Sequence, residues 1–290
     1  MRFRKDAKLD RSQVGDYRGR RTAGAPMALG GGGIVALIVV LAVVLLGGNP
    51  LGGGTGGLGD LVGQSVNTQE PAGTLDHCQT GEDANRYDDC RILAVVNSVQ
   101  EHWGRRLRGY EPARTNFFEG GISTGCGNAT SAVGPFYCPV DRQIYIDLGF
   151  FDELQSQFGA SGDLAQAYVI AHEYGHHVQN LTGVLRRAQG GDTGPRSDAV
   201  RVELQADCYA GVWIGNALQT GLIEEITRAD LQEAIGAAEA IGDDRIQERT
   251  QGQVNPERWT HGSAEQRQTW LARGIEGKSP NSCDTFRGQV

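Results

Sequence analysis

Residues 168–181 read YVIAHEYGHHVQNL and contain the pattern HExxH. Four residues of an α-helix turn the chain by about 400°, so His172 and His176 share one face and their imidazoles can hold one metal ion. Glu173 is rotated by about 100° from His172, which suits it to contact a water on that ion rather than to ligate the ion itself. Apolar residues ahead of the motif predict a buried helix over 164–181. The alternative is that both histidines are ordinary hydrogen-bonded core residues.

A catalytic zinc ion commonly takes three protein ligands and keeps one position for water. The chain has Thr182 where an HExxHxxGxxH motif would place its third histidine, so the third ligand must come from elsewhere. Residues 203–207 read ELQAD, and a helix brings the two acids to one face. We predict Glu203 as the third ligand and Asp207 as the acceptor of a proton from a ligating imidazole. Apolar neighbours disfavour the alternative, a solvated acidic face.

The rest of the folded region is predicted to be mostly helical with a small sheet, an α+β fold. Capping patterns begin three of the helices at Ser197, Thr227 and Ser263. Residues 143–147 (QIYID) are predicted to form a short strand, because they are rich in β-branched and aromatic residues. The predicted helices are 91–107, 164–181, 197–218, 227–241 and 263–273.

All six cysteines lie in the second part of the chain, after residue 75. An even number suits an oxidising compartment, in which disulfides form. Six cysteines allow fifteen pairings, but two pairs share the same separation of twelve residues, which makes local loops plausible. The chain has no CxxC pattern, which disfavours a zinc ribbon or a thioredoxin-type site. The pairs that we favour are Cys78–Cys90, Cys126–Cys138 and Cys208–Cys283.

Residues 27–48 carry no charge and include thirteen consecutive apolar residues, 34–46. Such a segment can cross a hydrocarbon core of about 30 Å. Basic residues precede it, so the positive-inside rule predicts a cytoplasmic N-terminus and an exported body. We predict an uncleaved signal anchor and a single-pass protein of the cell membrane. A cleaved signal peptide is disfavoured by the 26 residues ahead of the segment, and a buried core helix by the flanking glycines.

The predicted organisation is a basic cytoplasmic tail (1–26), a transmembrane signal anchor (27–48), a glycine-rich linker (49–74) and an extracytoplasmic domain (75–290). The chain has 27 basic and 35 acidic residues, for a net charge of −8, although its first residues are basic. The exported body is therefore acidic and repels phosphate backbones. This charge disfavours nucleic-acid binding.

Five segments together resemble one known family, the bacterial putative neutral zinc metallopeptidases. The resemblance covers nearly the whole chain. It implies a zincin-like domain in which His172, His176 and Glu203 bind Zn²⁺ and Glu173 is the catalytic acid and base. The segments are LDRSQVGDYRG (9–19), FYCPVDRQIYIDLGFF (136–151), HEYGHHVQN (172–180), ELQADCYAGVW (203–213) and HGSAEQR (261–267).

We expect Glu173 to take a proton from a zinc-bound water as that water attacks a peptide carbonyl, and later to donate the proton to the leaving amine. His261 is a candidate for stabilising the oxyanion, with Tyr145 and Arg267 behind it. The alternative for His261 is a loop or capping histidine. His177 is rotated away from the metal face, so we expect it to be structural or to line the substrate site.

The predicted function is a membrane-anchored zinc metallopeptidase whose partners are a peptide or protein substrate and a lipid bilayer, contacted through 27–48. We also expect the strand 143–147 to pair with an extended substrate, which would favour peptides. Two other functions compete. One is a catalytically inactive, zinc-stabilised envelope scaffold, and the other is a metal-dependent hydrolase of cell-wall amides. The intact ligand and base pattern favours the peptidase.

Overall fold

The computed structural model describes residues 1–19 and 75–290, and the predicted anchor (27–48) and linker (49–74) lie outside these ranges. The described strands are β1 (Arg2–Phe3), β2 (Val14–Asp16), β3 (Thr115–Phe118), β4 (Gly121–Thr124), β5 (Gly127–Thr130), β6 (Phe136–Cys138), β7 (Gln143–Asp147) and β8 (Ile223–Glu225). The described helices are α1 (Gly81–Ala84), α2 (Asp88–Arg106), α3 (Gly149–Phe158), α4 (Asp163–Thr182), α5 (Asp198–Asn216), α6 (Arg228–Ala240), α7 (Asp243–Gln251) and α8 (Ala264–Gly277). Short 3₁₀ turns cover Arg11–Gln13, Ser131–Val133, Val184–Gly190, Ala217–Thr220, Pro256–Arg258 and Pro280–Cys283. In the two described ranges, no helix has both the length and the apolar character that crossing a membrane requires.

Long helices form the centre of the molecule. α5 packs between α4 and α8, and almost every side chain of α4 and α5 is buried. The predicted caps begin three helices: the Ser197 hydroxyl accepts a hydrogen bond from the Val200 N–H, while Thr227 and Ser263 form capping boxes. The predicted mostly helical α+β fold is confirmed.

A four-stranded sheet covers one side of the helices, with strand order β2-β3-β7-β6. β2, β3 and β7 are parallel, and β6 is antiparallel to β7. The predicted strand 143–147 is confirmed as β7. However, β7 lies between β3 and β6, so both of its backbone edges are already paired. Our prediction that this strand pairs with a substrate is therefore wrong, because the chain itself occupies both edges.

Three disulfides join the pairs that the sequence favoured. Cys78 pairs with Cys90 and Cys126 with Cys138, each across twelve residues. The third bond, between Cys208 in α5 and Cys283, closes a separation of 75 residues and fixes the C-terminal segment to the helix that carries Glu203 and Asp207. Cross-linking so long a loop removes much of the conformational entropy of the unfolded chain.

Residues 1–19 belong to the same folded unit as 75–290. β1 pairs with β8, and β2 adds an edge strand to the four-stranded sheet beside β3. Phe3 and Val14 are buried in the common hydrophobic core. We predicted a tail separate from the domain, and the structure differs from that prediction. The segments concerned are too short to show strand periodicity in the sequence, and their pairing partners lie about a hundred residues or more away.

Candidate metal centre

Three buried side chains converge on one point between α4 and α5. His172 and His176 project from one face of α4, and Glu203 projects from α5. The Nε2 atoms of the two histidines are 3.1 Å apart. Glu203 Oε2 lies 3.2 Å from His172 Nε2, and Glu203 Oε1 lies 3.4 Å from His176 Nε2. The structure thus brings together the three residues that the sequence proposed as metal ligands.

This spacing fits a tetrahedral metal ion. Zinc–ligand bonds of about 2.0 to 2.1 Å make the edges of the coordination tetrahedron about 3.3 to 3.4 Å long, close to the separations observed here. Two imidazole nitrogens and one carboxylate are also the donor set of a catalytic zinc site with one open position. Glu203 Oε1 is buried, and within the described part of the chain no group donates a hydrogen bond to it. A cation would compensate that oxygen.

Asp207 orients His172. Its Oδ1 accepts a hydrogen bond from His172 Nδ1 at 2.8 Å, which leaves Nε2 free to bind a metal. Oδ1 also accepts a hydrogen bond from the Tyr168 hydroxyl at 2.6 Å, and Arg267 donates to both carboxylate oxygens at 2.9 Å. Burial opposes ionisation of Asp207, but Arg267 and His172 outweigh it and lower the pKa of this carboxyl to about 2. Asp207 is therefore an ionised acid inside the protein.

The same carboxylates affect the protonation of the histidine. Burial opposes protonation of His172, but Asp207 and Glu203 outweigh it and raise its pKa to about 10. A bound divalent cation competes with that proton for the imidazole. A metal ion at this centre would therefore bind less tightly as the pH is lowered.

Glu173 follows the first histidine and is buried. In the described ranges its Oε2 has no hydrogen-bond partner, and the backbone N–H of Tyr137 in β6 hydrogen-bonds to the carboxylate. Burial raises the pKa of Glu173, and the two neighbouring histidines offset part of the increase. A buried carboxyl group with a raised pKa and an unpaired oxygen can accept and return a proton near neutral pH.

His261 is held by Asp243, the first residue of α7. Asp243 Oδ2 accepts hydrogen bonds from the backbone N–H groups of Thr260, His261 and Gly262, at 2.8, 2.7 and 3.0 Å. The other oxygen, Oδ1, lies 3.5 Å from His261 Nδ1. Burial opposes protonation of His261, but the charge of Glu203 and the contact with Asp243 raise its pKa. The imidazole is thus buried, oriented and within electrostatic range of a proposed metal ligand.

Two residues predicted to lie behind His261 form their hydrogen bonds with other partners. The Tyr145 hydroxyl donates to Asp141 at 2.7 Å, and Arg267 binds Asp207, so neither residue supports His261 in the way we predicted. His177 lies outside the ligand cluster, as its position on the helix indicated. Its Nε2 donates to the backbone carbonyl of Glu111 at 2.6 Å.

A model of the family described as putative neutral zinc metallopeptidase matches residues 1–286. The chain belongs to this family. Uncharacterized protein Rv2575 of Mycobacterium tuberculosis (strain ATCC 25618 / H37Rv) is 52% identical to it over 238 residues, which cover 76% of this chain and 81% of the relative. Uncharacterized protein YpfJ of Escherichia coli (strain K12) is 40% identical over 236 residues, covering 78% of this chain and 79% of the relative. No solved structure matches the chain. Zinc is the metal that the family implies for the centre, and the donor set fits it.

Sequence reasoning missed two residues that support the centre, Gln179 and Tyr168, and assigned a third, Arg267, to His261 instead of Asp207. His176 Nδ1 donates to Gln179 Oε1 at 2.9 Å, and the Gln179 amide is fixed by donating to the Val202 carbonyl at 2.7 Å. Tyr168 and Arg267 hold Asp207, as described above. Gln179 and Tyr168 could have been found from their helical spacing, three residues after one ligand and four before the other.

Gly175, inside the HExxH motif, allows α4 to approach α5. A Cβ at this position would lie 3.0 Å from both the Cα and the carbonyl oxygen of Ala206. Since these are backbone atoms, they cannot move aside without separating the helices. The absence of a side chain at residue 175 therefore helps to bring Glu203 close to the two histidines.

Proposed function

We propose that this protein is a zinc-dependent peptidase. The observation that carries the proposal is the combination of three converging ligand atoms with a buried, unpaired carboxylate oxygen of Glu173 one residue from a ligand. A purely structural zinc site is normally closed by four protein ligands. Among the described residues the cluster contains only His172, His176 and Glu203, which leaves a coordination position for water or substrate.

Zinc bound there would supply a Lewis acid that activates a water molecule and polarises a carbonyl. Glu173 Oε2 accepts the proton of the attacking water and then donates it to the leaving amine. Its raised pKa supports this role, because the proton must be taken up and released near neutral pH. Asp207 and Gln179 hold the two ligating imidazoles in the tautomer that presents Nε2 to the metal.

His261 donates a hydrogen bond to the developing oxyanion. Its Nδ1 side is occupied by Thr260 and Asp243, so Nε2 is the nitrogen available to a substrate. The raised pKa keeps this ring protonated over a wider pH range, which favours donation. We therefore retain His261 as a catalytic residue and add Asp243 as the residue that positions it.

The bilayer is proposed as a second partner, through the uncharged segment 27–48. This proposal rests on the length and composition of the segment. An exported location for the zinc domain is supported by its three disulfides, which are typical of oxidising compartments.

The test is cleavage of a peptide library by the purified full chain, compared with the variant Glu173→Gln. We expect hydrolysis that a zinc chelator abolishes and added zinc restores. Glu173→Gln should bind as much zinc as the unmodified chain and lose about 10²- to 10⁴-fold in activity. A cell-wall peptide amide in the same assay separates a peptidase from an amide hydrolase. Zinc binding without hydrolysis of any substrate would instead indicate a scaffold.

A further inference from the structure

The N-terminal segment, residues 1–19, packs against the zinc domain and adds one strand to each of two sheets. Phe3 pairs with Ile223 in the two-stranded sheet. Val14–Asp16 pairs in parallel with Thr115–Phe117, so β2 closes one edge of the four-stranded sheet. This edge strand contacts β3 directly, and β3 pairs with the central strand β7.

The side chains of two asparagines bind the backbone of this segment. The Asn85 side chain accepts a hydrogen bond from the Phe3 N–H and donates one to the Phe3 carbonyl, both at 2.9 Å. The Asn97 side chain repeats this arrangement with Asp10, at 2.8 and 3.0 Å. A side-chain amide that pairs with both backbone groups of one residue imitates a neighbouring strand. The two asparagines therefore fix the segment at two points.

Close packing supports the same contact. A Cβ at residue 81 would lie 2.0 Å from the carbonyl oxygen of Arg4, so only glycine allows the segment to lie so near α1. The Gly81 N–H donates to the Ala7 carbonyl at 2.9 Å. Phe3 is almost completely buried.

Charged groups fix the far end of the segment. Arg18 donates to both carboxylate oxygens of Asp16 and, at 3.1 Å, to Asp89 in α2. Arg18 is one of the basic residues on which the positive-inside prediction depends. It is already paired with Asp89, an acid of the zinc domain. The family match begins at residue 1, so it includes this segment together with the metal centre.

These contacts constrain the topology of the protein. If residues 27–48 crossed a bilayer once, residue 19 and residue 75 would lie on opposite faces, and none of the contacts could form. We infer that residues 1–19 lie in the same compartment as the metal centre. This inference replaces the predicted cytoplasmic tail and excludes a single crossing by residues 27–48, so the bilayer contact proposed for that segment would be made from one side only. The inference does not depend on the proposed enzymatic activity.

The first test compares the accessibility of one introduced thiol on each part of the full chain. All six native cysteines are in disulfides, so Lys5→Cys and Val254→Cys each add a single free thiol at an exposed residue. Cells that express either variant are treated with a membrane-impermeant maleimide before and after permeabilisation. We expect both thiols to behave alike, either labelled in intact cells or labelled only after permeabilisation. Labelling of one thiol in intact cells and of the other only after permeabilisation would overturn the inference.

The second test asks whether the segment stays bound once the covalent connection is cut. A protease site is inserted between residues 49 and 74 of the full chain, and the purified protein is cleaved in detergent. We expect the N-terminal fragment to co-elute with the zinc domain. Elution of that fragment by itself would contradict the inference. The same experiment with Asn85→Ala and Asn97→Ala together should release the fragment, because the side-chain hydrogen bonds to the backbone of Phe3 and Asp10 are then lost.

Discussion

Arg267 holds Asp207 through two parallel hydrogen bonds, Nε to Oδ2 and Nη2 to Oδ1, each 2.9 Å long. Both side chains are buried, and Asp207 in turn accepts the Nδ1 proton of His172. A residue on α8 therefore acts on a proposed zinc ligand on α4 through an acid on α5. A buried pair of this kind fixes geometry more than it adds stability, because the two charges must be desolvated.

We predict that Arg267→Lys lowers the zinc affinity about 10-fold, within the range for groups that orient a ligand. Lysine keeps the charge but cannot form the two parallel hydrogen bonds. Competition with a chelator of known affinity measures the effect. The control is Arg273→Lys on the same helix, where the exposed arginine stacks on Trp270 and should not affect zinc. If Arg267→Lys bound zinc as tightly as the control Arg273→Lys, Arg267 would not position the centre.

His261→Asn should lower kcat about 10²- to 10³-fold with little change in KM, because the lost hydrogen bond is needed mainly in the transition state. The zinc content should stay the same. Steady-state kinetics on the best peptide from the library, with metal analysis of the same sample, checks both points. An increase in KM alone would assign His261 to substrate binding instead.

Gly175→Ala should separate α4 from α5 and weaken zinc binding, because the new Cβ meets the backbone of Ala206. We expect a loss of about 1 to 3 kcal/mol in the free energy of unfolding from the overpacked contact. The matched control is Gly236→Ala in α6, where a Cβ would meet no atom within 4 Å. Better helix propensity should stabilise that variant by up to about 1 kcal/mol. Urea denaturation measures the free energy of unfolding of both variants. Stabilisation by Gly175→Ala would contradict the predicted clash.

His102 in α2 should make the protein less stable in acid. Burial, and then the charge of Arg106, lower the pKa of His102 from 6.5 to about 3. Below pH 6.5 the unfolded chain therefore binds a proton that the folded protein does not, and the stability falls by about 1.4 kcal/mol per pH unit until the folded pKa is reached. His102→Gln removes this dependence. Urea denaturation at pH 7 and pH 5 should show a smaller loss in the variant, and equal losses would show that His102 does not titrate as described.

Local patterns in the sequence were enough to predict most of the helical framework. The cap residues Ser197, Thr227 and Ser263 begin α5, α6 and α8, since a cap acts within three or four residues. The convergence of His172, His176 and Glu203 was also predictable, because the two histidines lie on one turn of a helix and Glu203 lies in the next long helix. The disulfide between Cys208 and Cys283 followed only by elimination of the two local pairs.

Contacts between distant segments were not predictable in the same way. Arg267 and Asp207 are 60 residues apart, and no periodicity connects α8 with α5. β7 had the composition of a strand, but composition does not indicate whether the edges of a strand are free. The pairings of the N-terminal segment were not predictable for a further reason. Its basic residues fit the positive-inside rule, while its pairing with β3 depends on residues 115–117 far along the chain.

Metal analysis of the purified full chain, compared with Glu203→Ala, tests the central claim most directly. We predict one zinc ion per chain in the unmodified protein and none in the variant, because Glu203 supplies the third of the three ligands. The variant Glu257→Ala, which removes an exposed acid outside the cluster, should keep its zinc. A metal-free unmodified chain, or full zinc occupancy in Glu203→Ala, would contradict the claim.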